Sequence, residues 1–192
     1  MSGRTRRWKI VFNSPTTLAF GMICLIALIV GFSTGGASTR NFFMTYRASL
    51  ASPLTWLRFF SHVCGHSSWE HLLGNMSYIL LLGPLLEEKY GSGLLLGVIA
   101  ITAFITGIMN YIFFPQSALL GASGVVFAFI ILSSITGFRE KEIPLTFILV
   151  AVIYLGQQVY AGLFIKDNIA NFAHILGGLV GAITGFILNR RN

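Results

Sequence analysis

Six apolar stretches, at about residues 14–33, 68–86, 92–114, 121–138, 144–164 and 169–189, take up most of this chain. A helix needs ~20 apolar residues to cross a ~30 Å hydrocarbon layer, and none of the six is long enough to cross twice. The sequence therefore specifies an all-α, polytopic membrane protein: a six-transmembrane-helix bundle forming one integral-membrane domain over residues 1–192. Composition agrees, with 55% of residues hydrophobic and 10% charged, against ~25% charged in a soluble domain. A water-soluble globule is excluded, and no length remains for a separate soluble domain. The run at 16–32 is longer than a signal-peptide core and no small-residue cleavage site follows it directly, so it is read as a span. Cys24 and Cys64 leave little scope for a disulfide framework or a cysteine zinc cluster.

A net charge of +7 would suit nucleic acid, but the cations gather at the ends of apolar runs, where membrane orientation requires them. Placing Arg4, Arg6, Arg7 and Lys9 in the cytoplasm puts nine basic residues inside and four (Arg40, Arg47, Arg58, Lys166) outside. Both termini are then cytoplasmic, and the second, fourth and sixth helices start at the outer face. Ser67 and Glu70 are spaced as a capping box that starts the second helix. Gly91 and Gly93 separate the second and third spans. Pro115 ends the third and Pro144 sits in the first turn of the fifth. The one long connection, 34–66, carries Trp56, several Phe and three Arg, and is expected to lie at the outer interface as short amphipathic pieces.

Polar side chains inside a bilayer are costly and mark function by default. His71 and Asn75, four apart near the start of the second helix, share one face. Ser123, within Gly121-Ala122-Ser123-Gly124, opens the fourth. Such a tetrapeptide arises easily among 21 glycines, and small residues also serve tight packing. Residues 121–137 give only about 25 Å of helix, however, so Ser123 lies below the outer surface and 115–120 must dip inward. Non-helical backbone at that depth needs protein or a water-filled cavity around it. In the sixth helix His174 shares a face with Gly177 and Gly181, a G-x-x-x-G packing face. Ser123, His174, His71 and Asn75 thus all fall in the outer leaflet at similar depth.

That inventory narrows the chemistry. The only Asp is Asp167, in an outer loop, so an aspartyl dyad is excluded. No His is followed by Glu, so H-E-x-x-H zinc chemistry is excluded too. Serine with histidine remains: Ser123 as nucleophile and His174 as base, a dyad because no acid lies near His174. The Ser123 backbone N–H, His71 and Asn75 would hold the oxyanion.

On these residues the chain resembles the rhomboid intramembrane serine proteases of the minimal six-helix bacterial type. The family pattern H-x-x-x-H-x-x-x-x-H-x-x-x-N appears as His62, His66, His71 and Asn75. G-x-S-G is carried by Gly121, Ser123 and Gly124, and A-H-x-x-G-x-x-x-G by Ala173, His174, Gly177 and Gly181. G-x-x-x-E-x-x-x-G is carried by Gly83, Glu87 and Gly91. The resemblance implies cleavage of single-span membrane-protein substrates near the outer end of their span, usually after a small residue. It also implies no cofactor, no bound metal, no nucleic-acid partner and residence in a bacterial inner membrane. Two departures stand out. A Tyr that many members place one turn after the serine is Phe127 here, which keeps a ring to stack on the histidine but loses the hydroxyl. The family's adjacent Trp-Arg is interrupted as Trp56-Leu57-Arg58. His62 and His66, at i and i+4, read as structural hydrogen-bonding residues rather than metal ligands, since no Asp or Cys pair completes a site. Two rival readings are a catalytically silent relative that binds membrane clients and a small transporter using the histidines.

Overall fold

A computed structural model of the chain describes residues 10–136, 143–157, 159–160 and 168–189. The cations used for orientation at Arg4, Arg6, Arg7, Lys9, Arg139, Lys141, Lys166, Arg190 and Arg191, with Asp167, lie outside the described residues.

Helix α1, Pro15–Ser33, begins with proline in its first turn, where a missing N–H costs nothing. The connection that follows folds as expected into short pieces: α2, Ala37–Phe42, then α3, Pro53–Ser61, and a 3₁₀ turn, His62–Cys64. Next come α4, Trp69–Tyr90, and α5, Ser92–Phe113. They are divided by Gly91, whose φ of +85° favours glycine. Two boundaries differ from expectation at α4. Its N-cap is Ser68, not Ser67, and the Ser68 hydroxyl accepts from the His71 N–H at 3.2 Å. The helix also continues past Pro84 to Tyr90.

Helix α6, Ser123–Ser134, is shorter than the expected 121–138. It is buried on every side from residue 124 to 132, as befits a helix that is apolar all round and occupies the bundle centre. The expected fifth span over 144–164 is not one regular helix: α7, Leu145–Val150, passes into a wide π-type turn, Ala151–Leu155. Pro144 is the N-cap of α7 rather than a first-turn residue, which suits a ring that carries no N–H. Helix α8, Asn168–Asn189, packs most extensively on α6, which also meets α4, α5 and α7.

Among the described residues, three helical segments, Pro15–Ser33, Ser92–Phe113 and Ala170–Asn189, are long and apolar enough to cross a membrane, and Ser123–Ser134 and Leu145–Tyr154 are shorter apolar helices. In α4 the apolar run is interrupted by Glu70, His71 and Asn75. The molecule is a helical membrane bundle. Among the described residues the only β pairing is a bridge between Thr45 and Leu119.

Candidate active site

The site is built where non-helical backbone enters α6. Thr45 and Leu119 exchange two backbone hydrogen bonds of 2.9 Å, and the Gly121 N–H donates to the His62 carbonyl at 2.9 Å. Leu119 and Ala122 are buried. The backbone that leads directly into α6, from Leu119 to Ala122, is therefore packed in protein, while 115–118 stays at the surface. Gly121 has φ +122°, and a Cβ there would stand 2.7 Å from His71 Nε2 and 3.9 Å from Asn75 Nδ2. Glycine is needed for both the turn and the approach of the imidazole. No side chain caps the first turn of α6, so its leading N–H groups keep their hydrogen-bonding capacity. Ser123 is half-buried at that opening.

His174 lies on α8 against the same seam. Its ring stacks on Phe127 with centroids 4.4 Å apart and planes inclined by 5°. Phe127 is one turn beyond Ser123, and the π-type turn after α7 sets Tyr154 edge to face with it at 6.1 Å. The approach of α6 and α8 is backbone to backbone. A Cβ on Gly177 would overlap the Gly124 carbonyl, and one on Gly181 the Ala128 carbonyl. The G-x-x-x-G face thus packs on α6, and Gly124, next to Ser123, abuts Gly177, one turn after His174.

Opposite Gly121 stands a polar cluster on α4 and the segment before it. Ser67 Oγ meets His71 Nδ1 at 3.2 Å. A hydroxyl donating there leaves the neutral ring's proton on Nε2, the atom beside Gly121. His66 Nδ1 meets the Cys64 carbonyl at 3.2 Å, and its Nε2 meets Asn75 Nδ2 at 3.0 Å. The tautomer with hydrogen on Nδ1 satisfies both contacts and leaves the second hydrogen of the Asn75 amide unspent. The His66 and His71 rings meet edge to face at 4.9 Å. Burial, with the neighbouring His71, lowers the His66 pKa to about 4. His62 lies in the layer behind. Its Nδ1 meets the Arg58 carbonyl at 3.1 Å and its Nε2 the Thr106 hydroxyl at 3.2 Å. That hydroxyl also reaches the Thr102 carbonyl at 2.7 Å, so the two acceptors compete for it. Burial lowers the His62 pKa to about 4 as well, so both rings are neutral near pH 7.

Glu87 and Gly91 stand apart from this cluster, at the other end of α4. The Glu87 carboxylate accepts from the N–H groups of Thr16 and Thr17 at 2.8 and 2.9 Å, and from the hydroxyls of Thr17 and Ser92 at 2.8 and 2.7 Å. An acid so placed seats the N-terminus of α1 and complements its dipole. Gly83 lets Thr17 approach, since a Cβ there would fall 2.5 Å from the Thr17 methyl.

The sequence pattern assigns Ser67 to capping rather than to the His71 ring, and gives Thr106 and Tyr154 no role. Ser67 stands four residues before His71, and Thr102, Thr106 and Asn110 form an i, i+4, i+8 polar stripe in an apolar helix. Both patterns were visible signals of shared faces. Nothing local marks Tyr154.

The Rhomboid domain family matches residues 53–191 of the chain. Rhomboid protease GlpG of Haemophilus influenzae is 32% identical over 134 residues, which cover 68% of each protein. Rhomboid-related protein 2 of Mus musculus is 31% identical over 159 residues, covering 71% of this chain and 52% of that protein. Rhomboid protease GlpG of Serratia proteamaculans is 29% identical over 175 residues, covering 90% and 62%. The chain thus spans between about half and about two thirds of these relatives' lengths. With a family match running from α3 through the whole of α8, this chain belongs to the rhomboid family.

Proposed function

We propose that the chain is an intramembrane serine endopeptidase in which Ser123 is the nucleophile and His174 the general base. Family membership and the protease names of its relatives support the hydrolase class. The observation that carries the residue assignment is the imidazole of His174 held flat on Phe127, one turn from Ser123, across a glycine seam that brings the two helices' backbones together.

The Ser123 hydroxyl adds to the scissile carbonyl while His174 takes its proton, and the same proton passes to the departing amine. Water then adds to the acyl-serine, His174 again accepting a proton and returning it to Ser123. Charge developing on the carbonyl oxygen is met by the Ser123 N–H, His71 Nε2–H and the spare Asn75 amide hydrogen. Such a donor is worth roughly 3–4 kcal/mol. Gly121 clears the space in which that oxygen sits. The substrates are single-span membrane proteins, cut near the outer end of their span after a small residue. Six crossings with both termini in the cytoplasm of a bacterial inner membrane complete the reading, and the chemistry calls for no cofactor.

The test is gel analysis of a model transmembrane substrate with the wild type and Ser123→Ala. Cleavage should fall at least about 1000-fold, while the melting temperature stays put and labelling by a fluorophosphonate disappears. Undiminished cleavage by Ser123→Ala would refute the assignment.

A further inference from the structure

A groove of about 340 Å³ lies at the outer loop, with Arg40, Tyr46 and Arg47 on one wall and 115–118 on the other. Its two guanidinium groups are exposed, and no Asp or Glu occurs anywhere in 34–66 or 114–122. The third arginine of this segment shows what a self-satisfied cation looks like here. Arg58 is buried, donates from Nε to the Asn41 carbonyl at 2.8 Å and lies over the Tyr46 ring at 4.5 Å. Arg40 and Arg47 find no carboxylate among the described residues. Arg47 is instead held over Tyr111 at 5.3 Å, and the Tyr111 hydroxyl is anchored on the Ala48 carbonyl at 2.7 Å. A guanidinium resting on a ring keeps its N–H edge for a ligand.

The surroundings fix the kind of ligand. Phe42, Leu50, Trp56, Leu57 and Phe60 are each more than 40% exposed around this loop, and the Trp56 N–H is turned back to the Leu50 carbonyl at 2.9 Å. Aromatic and aliphatic side chains displayed in this way sit in the acyl boundary, and the arginines beside them reach the phosphate layer. We infer that Arg40 and Arg47, with Gln116 and Ser117, form a seat for the phosphate of an anionic phospholipid of the outer leaflet. Arginine forks suit two phosphate oxygens at once, and the amide and hydroxyl supply further donors. The seat joins the site through one connection: 115–118 leads to Leu119, paired with Thr45, and then to Gly121.

The experiment is native mass spectrometry of the full chain released from mixed phosphatidylglycerol and phosphatidylcholine. It reads binding without proteolysis, so its failure leaves the proposed activity untouched. The wild type should retain phosphatidylglycerol preferentially, and each of Arg40→Gln and Arg47→Gln should lower that preference about fivefold. In the unsubstituted protein, high salt during equilibration should weaken the preference, a measurement that depends on no variant folding. Equal retention by the wild type and the double variant, or indifference to salt, overturns the proposal. Displacement of the lipid by a soluble acidic peptide at stoichiometric concentration also overturns it, because the seat would then belong to a polypeptide.

Discussion

The two ends of α4 solve the same physical problem in opposite ways. Near Tyr90 the Glu87 carboxylate receives four hydrogen bonds from Thr16, Thr17 and Ser92. Every strong acceptor position is used, and nothing remains for a ligand. Near Ser68 the polar groups are fixed but not exhausted. Ser67 holds His71 by Nδ1, and His66 takes only part of the Asn75 amide, so one N–H from each is still to be used. Burying polar groups in a bundle is tolerated when they are satisfied. Residual donor capacity at fixed positions is what stabilises a transient oxyanion. The contrast separates an acid that assembles the fold from donors left available to the proposed reaction.

The sharpest break of that contrast is at the Ser68 end. His71→Ala and Asn75→Ala should each lower kcat by about 100- to 1000-fold while KM stays within about threefold, measured on a quenched transmembrane substrate. Equal losses in kcat and in substrate binding would reduce both residues to scaffolding.

At the Tyr90 end the expected effect is on stability. Glu87→Gln replaces an acceptor facing N–H donors by an amide that must turn one oxygen and one NH₂ group toward them. Unfolding free energy in detergent should drop by about 2–4 kcal/mol, with kcat per folded molecule unchanged. A variant that folds normally but cleaves slowly would erase the distinction between the two ends.

The smallest effect is a pH slope. His62 and His66 have folded pKa values of about 4, below the ordinary 6.5. Between those values the unfolded chain binds more protons than the folded one, so stability is complete above pH 6.5 and declines as pH falls toward 4. Thermal melts in detergent should show this decline, and His62→Gln should flatten it. A melting temperature constant across the window contradicts the burial of these rings as their controlling feature.

How legible this was in the sequence depended on distance along the chain. Apolar length alone gave α1, α5 and α8 to within a residue or so, because hydropathy and terminal punctuation act locally. Ser67 and Ser68 are adjacent and equally able to cap, and the S-x-x-E spacing to Glu70 points to Ser67 although Ser68 is the cap. Only the folded backbone shows that Ser68 caps while Ser67 reaches the His71 ring. The Glu87 partners lie 70 and 71 residues away at Thr17 and Thr16, beyond any periodicity argument. The broken course of α7 was also invisible, since its residues are as apolar as those of a regular span. The rhomboid motifs indicated which residues belong together, and the contacts among His66, Asn75, His71 and Gly121 are the geometry behind that pattern.

The seam between α6 and α8 sets a rule for how the molecule can open. Where Gly177 and Gly181 ride on the carbonyls of Gly124 and Ala128, there is no layer of side chains to act as a lubricant, and sliding one rod past the other would meet main-chain atoms at once. Main-chain contact therefore resists displacement of one helix against the other, and in the proposed site that contact holds the spacing of Ser123 and His174. In the proposed reaction, admission of a substrate segment would fall to elements other than this pair.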